Sequence, residues 1–177
     1  LDEAMRIGDR IAIMEGGVVV QVGTPDEILA NPANEYVKSF FSGVDVSKVL
    51  TAGDIAKRLQ VTLIERAGSG VDAAIERLRR QDRDFAILVD RAQRYAGVVT
   101  TESLGRARHD GKGLVDAHLP DVEPLRADQA LSEVLTHVAR APTPVPVVDA
   151  DNRYVGVVSR AVLLEALDRE EETEQAA

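Results

Sequence analysis

The chain has 177 residues, of which 45% are hydrophobic and only 3% aromatic, so one or two domains with aliphatic cores are expected. It contains no cysteine, which excludes a disulfide framework and thiolate metal ligands. No apolar run approaches the roughly 18 residues that span a membrane, and no signal peptide is visible. We therefore expect a cytoplasmic protein, and the start at Leu1 without methionine favours a piece of a longer one.

The net charge of −9 is unevenly distributed along the chain. Between Lys57 and Lys112, 12 basic and 8 acidic residues give +4, whereas six acidic residues and one basic residue give −5 from Glu165 to Ala177. Exposed charges of opposite sign attract one another in a salt-dependent way, because ions screen them within about 8–10 Å. The alternative is that the acidic end is a solvated tail with no such role.

Residues 1–42 begin with a short helical segment and continue as a predicted hairpin. Two apolar runs, 9–14 and 18–23, lie on either side of Glu15-Gly16-Gly17. Gly17 can take the positive φ that a tight hairpin turn requires.

Two short helices are predicted after the hairpin. Thr24, Pro25 and Glu27 have the order of an N-cap, a first helical residue and the acid of a capping box. A second helix is expected over 35–41, and residues 43–50 are expected to form a linker.

One pattern occurs twice in the rest of the chain, at a constant offset of 59 residues (149 − 90 for the two turn aspartates). Residues 85–90 and 94–100 form the first copy, and residues 144–149 and 153–159 form the second. Each copy is an apolar run, a polar turn and a valine-rich run, which predicts a β-hairpin with buried strands. The constant offset indicates an internal repeat of one structural unit.

The segments around each hairpin repeat as well. A short β-like run and a segment with helical spacing precede each hairpin, and a helix follows it. The unit is therefore strand, helix, strand, strand, helix, and two copies can share a core that one copy is too small to form. The predicted segments are strands at 61–64 and 122–125 and helices at 71–78, 102–108, 130–135 and 161–169.

Gly97 and Gly156 occupy the same place in the two copies, which predicts a close backbone approach or a strand irregularity there. A bulkier residue at Gly97 should then destabilise the fold by roughly 1–3 kcal/mol.

This element order, with Gly97-Val98-Val99-Thr100 and Gly156-Val157-Val158-Ser159 leading into helices, resembles a tandem pair of CBS modules, the regulatory modules of the cystathionine-β-synthase type. The resemblance implies an α/β (α+β) fold with module 1 at 43–110 and module 2 at 111–169. It leaves 170–177 as an acidic tail that is expected to fray or to stay disordered. CBS pairs bind adenine nucleotides or dinucleotides between their modules, or serve as dimerising sensors.

Residues 1–41 resemble the segment just after the switch histidine in ABC-transporter ATPase subunits. The resemblance is carried by Leu1-Asp2-Glu3-Ala4, by residues 9–14 and by Gly23-Thr24-Pro25-Asp26-Glu27-Ile28-Leu29. It implies that residues 1–42 are the end of an ATPase domain. An ABC ATPase followed by two CBS modules resembles the ATP-binding subunit of an osmoprotectant importer for glycine betaine, proline or choline. Such a subunit binds ATP at the inner face of the cell membrane, against a transmembrane permease subunit.

The chain itself is expected not to be an enzyme. It contains no G-x-x-x-x-G-K-[ST] loop to cradle phosphates, and it lacks the family's Walker B carboxylates, signature helix and switch histidine. His109, His118 and His137 have no metal-like spacing, so neither a catalytic residue nor a metal ligand is predicted.

Thr100 and Ser159 are the first candidate ligand-binding residues. In nucleotide-binding CBS modules a hydroxyl at this helix start contacts phosphate, and a carboxylate three residues later accepts from ribose hydroxyls. Ser103 and Val162 stand where that carboxylate would be. The alternative is that Thr100 and Ser159 are helix N-caps.

A basic cluster, Arg106, Arg108, His109 and Lys112, is the second candidate site. It could take an anionic ligand such as a cyclic dinucleotide, or lipid headgroups. The alternative is a solvated helix end whose cations suit the helix dipole.

The leading interpretation is a regulatory tandem-CBS part of an osmoprotectant importer's ATP-binding subunit. It would sense ionic strength, an adenine nucleotide or cyclic di-AMP, and control transport by bistable packing of CBS pairs. The alternative is a ligand-free CBS dimerisation scaffold. The expected partners are a second copy of the chain, the permease subunit and an anionic membrane surface. Nucleic acid is not expected, because no aromatic residues are interleaved with the basic ones.

Overall fold

The N-terminal unit is a two-stranded hairpin packed on three short helices. The computed structural model describes residues 2–41, 44–58, 61–64 and 70–174. The elements of this unit are α1 (Asp2–Ile7), β1 (Ile11–Glu15), β2 (Val18–Gly23), α2 (Pro25–Ala30) and α3 (Glu35–Phe40). β1 and β2 pair antiparallel, and Gly17 in their turn has a φ of +83°, as the hairpin prediction requires.

The predicted start of α2 is confirmed in detail. The N–H of Glu27 donates to Thr24 Oγ1 (3.4 Å), and the N–H of Thr24 donates to Glu27 Oε2 (3.0 Å), which is a capping box. α2 then buries Ile28 in a small core of its own unit. The buried residues of that core are Met5, Ile13, Ile28, Val37, Phe41 and Val44.

The connecting segment, residues 44–58, is not the linker that the sequence predicted over 43–50. It contains α4 (Val46–Val49) and α5 (Ala52–Ile55), and both Val46 and Leu50 are buried in the core of the second repeat. The linker prediction was wrong for 44–50, because Val46 in α4 and Leu50, the extended residue at the C-cap of α4, both place apolar side chains in that core. Gly43 lies outside the described residues.

The two repeats have the predicted order of strand, helix, strand, strand, helix, but the first strand of module 2 is Leu125–Arg126 and not the predicted 122–125. The elements of module 1 are β3 (Thr62–Ile64), α6 (Val71–Arg80), β4 (Phe85–Val89), β5 (Tyr95–Thr100) and α7 (Thr101–His109). After a 3₁₀ turn (Val115–Ala117), those of module 2 are β6 (Leu125–Arg126), α8 (Leu131–Arg140), β7 (Val145–Val148), β8 (Tyr154–Val158) and α9 (Arg160–Glu174). In each three-stranded sheet the first strand lies parallel to the second, and the second pairs antiparallel with the third.

α5 packs on the sheet of module 2, although it lies within the range 43–110 that was assigned to module 1. The N–H of Ala52 donates to the carbonyl of Gln129 (2.8 Å), and the N–H of Leu131 donates to the carbonyl of Leu50 (2.9 Å). Lys57 then pairs with Val157 through two backbone hydrogen bonds, so the connecting segment lies along module 2 before the chain enters β3.

The two modules meet through their hairpins. The N–H of Tyr95 donates to the carbonyl of Asn152 (2.8 Å), and the N–H of Tyr154 donates to the carbonyl of Gln93 (3.0 Å). Tyr95 and Tyr154 are equivalent residues of the two repeats, as are Gln93 and Asn152, so the two hydrogen bonds join equivalent positions. Beneath these contacts lies a core shared by both modules, formed by the buried residues Ile87, Val89, Val98, Val122, Tyr154 and Val157.

Gly97 and Gly156 lie where the backbone is approached closely, as predicted. A Cβ atom on Gly97 would lie 2.9 Å from the Cβ of His118, and one on Gly156 would lie 3.1 Å from the Cβ of Ala56. Each middle strand also shifts register beside its glycine-bearing partner, so the predicted strand irregularity is present too.

The acidic tail predicted at 170–177 begins as a continuation of α9, which runs to Glu174. The prediction of fraying or disorder was wrong for 170–174, because these residues contain no glycine or proline and glutamate favours helix. Residues 175–177 lie outside the described part of the chain. Within that part, no helix combines the length and the apolar character needed to cross a bilayer.

Candidate ligand cleft between the two modules

A cavity of about 570 Å³ lies between the two modules. Module 1 contributes the start of β4 and the first turns of α7, and module 2 contributes the segments that precede β6 and β7. A cavity of this volume falls in the range of small-molecule sites.

The start of α7 faces this cleft, and its polar groups bond to one another. Thr100 Oγ1 accepts from the N–H of Ser103 (3.0 Å), while Ser103 Oγ accepts from the N–H of Thr100 (2.9 Å) and donates to its carbonyl (3.1 Å). The N–H of Thr101 donates to the carbonyl of Asp84 (2.9 Å). Thr100 is therefore the helix N-cap, and the buried Ser103 completes the cap.

The cleft is lined by more negative than positive charge. Asp84, Glu102 and Asp121 contribute carboxylates, and Arg106 is the one cation among the described lining residues. Arg106 Nη1 lies 3.3 Å from Glu102 Oε1, one helical turn away, so this cation is already paired. Three negative charges and one positive charge give these four side chains a formal sum of −2. A field of this sign disfavours anions in the cleft.

The remaining wall combines apolar surface with one unpaired hydroxyl. Phe85, Leu119 and Pro144 give the cleft apolar sides. Thr143 Oγ1 is buried and has no hydrogen-bond partner among the described residues. Burial of an unpaired hydroxyl costs free energy, and because this oxygen has no accessible surface it is not available to a ligand in the cleft.

Ser159, the second predicted hydroxyl, plays the same capping role in the other repeat. The N–H of Val162 donates to Ser159 Oγ (3.1 Å). Val162 takes the place of a carboxylate, and Ser159 is not among the described residues that line the cleft. The two predicted hydroxyls therefore do not converge on one ligand position.

The predicted basic cluster is spread over an exposed surface. Of its four members, Arg106 alone is among the described residues that line the cleft. Arg108 lies 3.6 Å from a carboxylate oxygen of Asp72, Lys112 lies 3.9 Å from one of Asp110, and His109 is exposed at the last residue of α7. These positions fit the helix-dipole alternative better than a convergent anion site.

A second cavity, of about 490 Å³, separates the N-terminal unit from module 2. Asp9 and Asp26 line it from the N-terminal unit, and Asp54, Asp128 and Glu133 line it from the opposite side. Although acidic, it offers no metal centre: within the described ranges, no three acidic or histidine side chains are arranged to hold a metal ion.

Tyr95 and Tyr154 are equivalent residues of the two repeats, but their hydroxyls differ. The hydroxyl of Tyr95 donates to the carbonyl of Val122 (3.0 Å), whereas that of Tyr154 is buried without a hydrogen-bond partner in the described structure. Burial raises the pKa of each phenol to about 12. For Tyr154 the nearby cation of Arg58 opposes this rise.

We expect phenylalanine at these two positions to have unequal effects on stability. Tyr95→Phe should lower the free energy of unfolding by about 1 kcal/mol, since it leaves the Val122 carbonyl unpaired. Tyr154→Phe should leave it unchanged or raise it by up to about 1 kcal/mol, because it removes an unpaired buried hydroxyl. Urea denaturation at neutral pH measures both values, and equal losses would contradict the assigned hydrogen bonds.

The same variants test the phenol pKa values. An unfolded tyrosine loses its proton near pH 10, whereas the folded phenols keep theirs until about pH 12. The unfolded state therefore binds fewer protons in this window, so stability should fall as the pH rises from 10 to 12. Each single variant should fall less steeply than the unmodified chain.

Three lining residues, Asp84, Asp121 and Thr143, were not singled out from the sequence. A signal for two of them existed, because Asp84 and Thr143 are 59 residues apart and each lies just ahead of the middle strand of its module. Asp121 carries no such mark, since it lies in an irregular segment whose position depends on how the modules pack.

Comparisons with known proteins agree with this fold. The CBS domain family model matches residues 116–169. The chain is 52% identical over 171 residues to the glycine betaine/proline betaine transport system ATP-binding protein ProV of Salmonella typhimurium, covering 96% of the chain and 43% of ProV. It is 38% identical over 167 residues to the glycine betaine transport ATP-binding protein OpuAA of Bacillus subtilis, covering 94% of the chain and 39% of OpuAA.

Among solved structures, CbpB in complex with c-di-AMP is similar in fold. The TM-score is 0.65 at 13% identity, with 80% of this chain and 97% of CbpB covered. The sequence and fold matches together confirm the resemblance to osmoprotectant ATP-binding subunits with tandem CBS modules. The chain spans less than half the length of these two curated relatives.

Proposed function

Because the chain belongs to the CBS-containing, C-terminal part of the osmoprotectant-transporter ATP-binding subunits, we propose that it regulates the ATPase of such a transporter. In this proposal the longer protein binds ATP at the cytoplasmic face of the membrane and imports an osmoprotectant such as glycine betaine. Its partners are a transmembrane permease subunit and a second copy of itself, which meets the first through the CBS modules.

The connecting segment is the observation that carries this proposal. Val44 is buried in the core of the N-terminal unit, while Val46 and Leu50 are buried in the core of module 2. Leu29 of α2 packs against both cores. A change in the packing of module 2 would therefore displace the segment that resembles the end of an ATPase domain, which a loose tether could not do.

The uneven charge of the chain supports ionic strength as the signal. Lys57 Nζ of the connecting segment lies 3.3 Å from Glu165 Oε2 of α9, in an exposed pair. α9 continues into the acidic end of the chain. One exposed pair contributes only about 0–1 kcal/mol, so several must act together, and all weaken as salt screens them.

We expect deletion of residues 170–177 to change the salt response of the full-length transporter. The deletion removes four glutamates, so the acidic end would no longer compete for basic surface or repel anionic lipid. The measurement is ATP hydrolysis against KCl concentration, with the subunit and its permease reconstituted in anionic liposomes. The salt concentration of half-maximal activity should shift.

Two matched variants separate charge from length. Replacing Glu170, Glu171, Glu172 and Glu174 by glutamine should reproduce the shift, because it removes the same charges without shortening the chain. Deleting only residues 175–177, whose side chains are uncharged, should leave the salt concentration of half-maximal activity unchanged. If deletion of 170–177 gives a salt profile superimposable on that of the unmodified subunit, the tail has no sensing role.

A ligand-free dimerisation scaffold is the second candidate function. It is favoured by one observation: Thr100 and Ser159, the two hydroxyls expected to hold a phosphate, both cap their own helices. In that case neither salt nor a ligand would change ATP hydrolysis through these modules.

A further inference from the structure

We infer that the cleft between the modules selects a purine nucleoside that carries no phosphate over the corresponding nucleotides. This inference rests on the proposed regulatory function and adds the class of ligand. CbpB, which is similar in fold, was solved in complex with c-di-AMP, a ligand that carries phosphate. The residues of this cleft do not fit the phosphate of such a ligand.

The start of α7 has few free donors for a phosphate. A helix N-terminus binds phosphate through unpaired backbone N–H groups and a nearby hydroxyl. Here the N–H of Thr101 is held by the Asp84 carbonyl, and the N–H of Ser103 is held by Thr100 Oγ1. A phosphate at this helix start would therefore find two of its backbone N–H groups already bonded within the chain.

The net negative charge of the cleft also disfavours binding of a phosphate. A phosphate placed at the start of α7 would share the cleft with the carboxylates of Asp84, Glu102 and Asp121. The guanidinium of Arg106, 3.3 Å from Glu102, offsets one of the three carboxylates, which leaves two uncompensated negative charges. Each negative charge on a ligand should therefore weaken binding, by roughly five-fold, which corresponds to about 1 kcal/mol.

The same residues suit a nucleoside. Phe85, Leu119 and Pro144 offer apolar surface to a planar base. Asp121, an exposed carboxylate among the lining residues, can accept hydrogen bonds from ribose hydroxyls, which is the task that the capped Ser103 cannot perform.

The test is calorimetric titration of the 177-residue chain with adenosine, AMP and ATP at low ionic strength, with and without Mg²⁺. We expect adenosine to bind with the lowest Kd, AMP to bind roughly ten-fold or more weakly, and ATP to bind more weakly still. Mg²⁺ should not reverse this order. A lower Kd for AMP or ATP than for adenosine, in either condition, would overturn the inference, as would no heat of binding with adenosine at millimolar concentration.

A double variant tests whether the carboxylates set the preference. Glu102→Gln with Asp121→Asn should bring the Kd of AMP several-fold closer to that of adenosine. Glu76→Gln with Asp151→Asn changes the net charge equally on exposed positions outside the cleft lining, and should leave the ratio unchanged. An equal effect of both pairs would overturn the inference. Since the salt response of the full-length transporter is measured separately, a failure here leaves the proposed regulation by ionic strength standing.

Discussion

Replacing Gly97 by valine is expected to lower the free energy of unfolding by about 3 kcal/mol. Gly97 has a φ of +149°, a conformation that residues with a Cβ atom rarely adopt. A new Cβ atom would also lie 2.9 Å from the Cβ of His118. Urea denaturation of the variant and of the unmodified chain measures the difference.

His118 cannot easily move away from such a side chain. Its Nδ1 lies 2.6 Å from the carbonyl of Val115, and the N–H of the next residue, Leu119, donates to the carbonyl of Val98 (2.8 Å). Both the backbone strain and the steric clash at Gly97 therefore persist in the folded variant, and their free-energy costs add.

Gly105 provides a matched control within the same module. It lies in α7, and a Cβ atom there would meet nothing within 4 Å. Gly105→Val should therefore change the free energy of unfolding by less than about 0.5 kcal/mol, since valine is slightly better than glycine in a helix. A similar loss at both positions would show that valine itself, and not the surroundings of Gly97, causes the effect.

The repeat made most of the fold predictable from the sequence. Apolar runs, polar turns and capped helices are local patterns, and the 59-residue offset allowed one copy to support the other. The β-hairpins, the α2 capping box and the approach at Gly97 and Gly156 were found in this way. The offset also showed that the glycines were a property of the unit and not of one loop.

The candidate site was less predictable because it depends on tertiary packing. The sequence could offer Thr100 as a phosphate ligand or as a helix cap, and only the hydrogen bonds to Ser103 distinguish the two. It placed Arg106 in a basic cluster, whereas the structure places Arg106 in a cleft with Asp84 and Asp121. These carboxylates lie in segments that approach one another only when the two modules pack.

The burial of Leu50 also depends on tertiary packing, and the sequence did not predict it. The stretch 43–50 contains glycine, aspartate and serine and was predicted to be a linker, yet Leu50 is 2% exposed and is part of the module 2 core. We expect Leu50→Ala to lower the free energy of unfolding by about 3 kcal/mol, the cost of emptying a buried leucine site. The measurement is urea denaturation of the 177-residue chain.

Leu164 is the matched control, because it lies in α9 of the same module but is 66% exposed. Leu164→Ala should change the free energy of unfolding by less than about 0.5 kcal/mol, since an exposed leucine loses little burial. A loss below about 1 kcal/mol for Leu50→Ala would mean that the connecting segment detaches at little cost.

Hydrogen exchange distinguishes a weakened connection from general unfolding. The N–H of Leu131 donates to the carbonyl of Leu50 at 2.9 Å, and α8 begins at that residue. In Leu50→Ala this amide should exchange faster than the decrease in global stability requires, because the connecting segment opens before the sheets do. The amides of β4, in module 1, should exchange at the rate that the global free energy of unfolding of the variant predicts. If the Leu131 amide and the β4 amides both exchange at the global rate, the connecting segment unfolds only with the whole domain. It then moves as a rigid part of module 2.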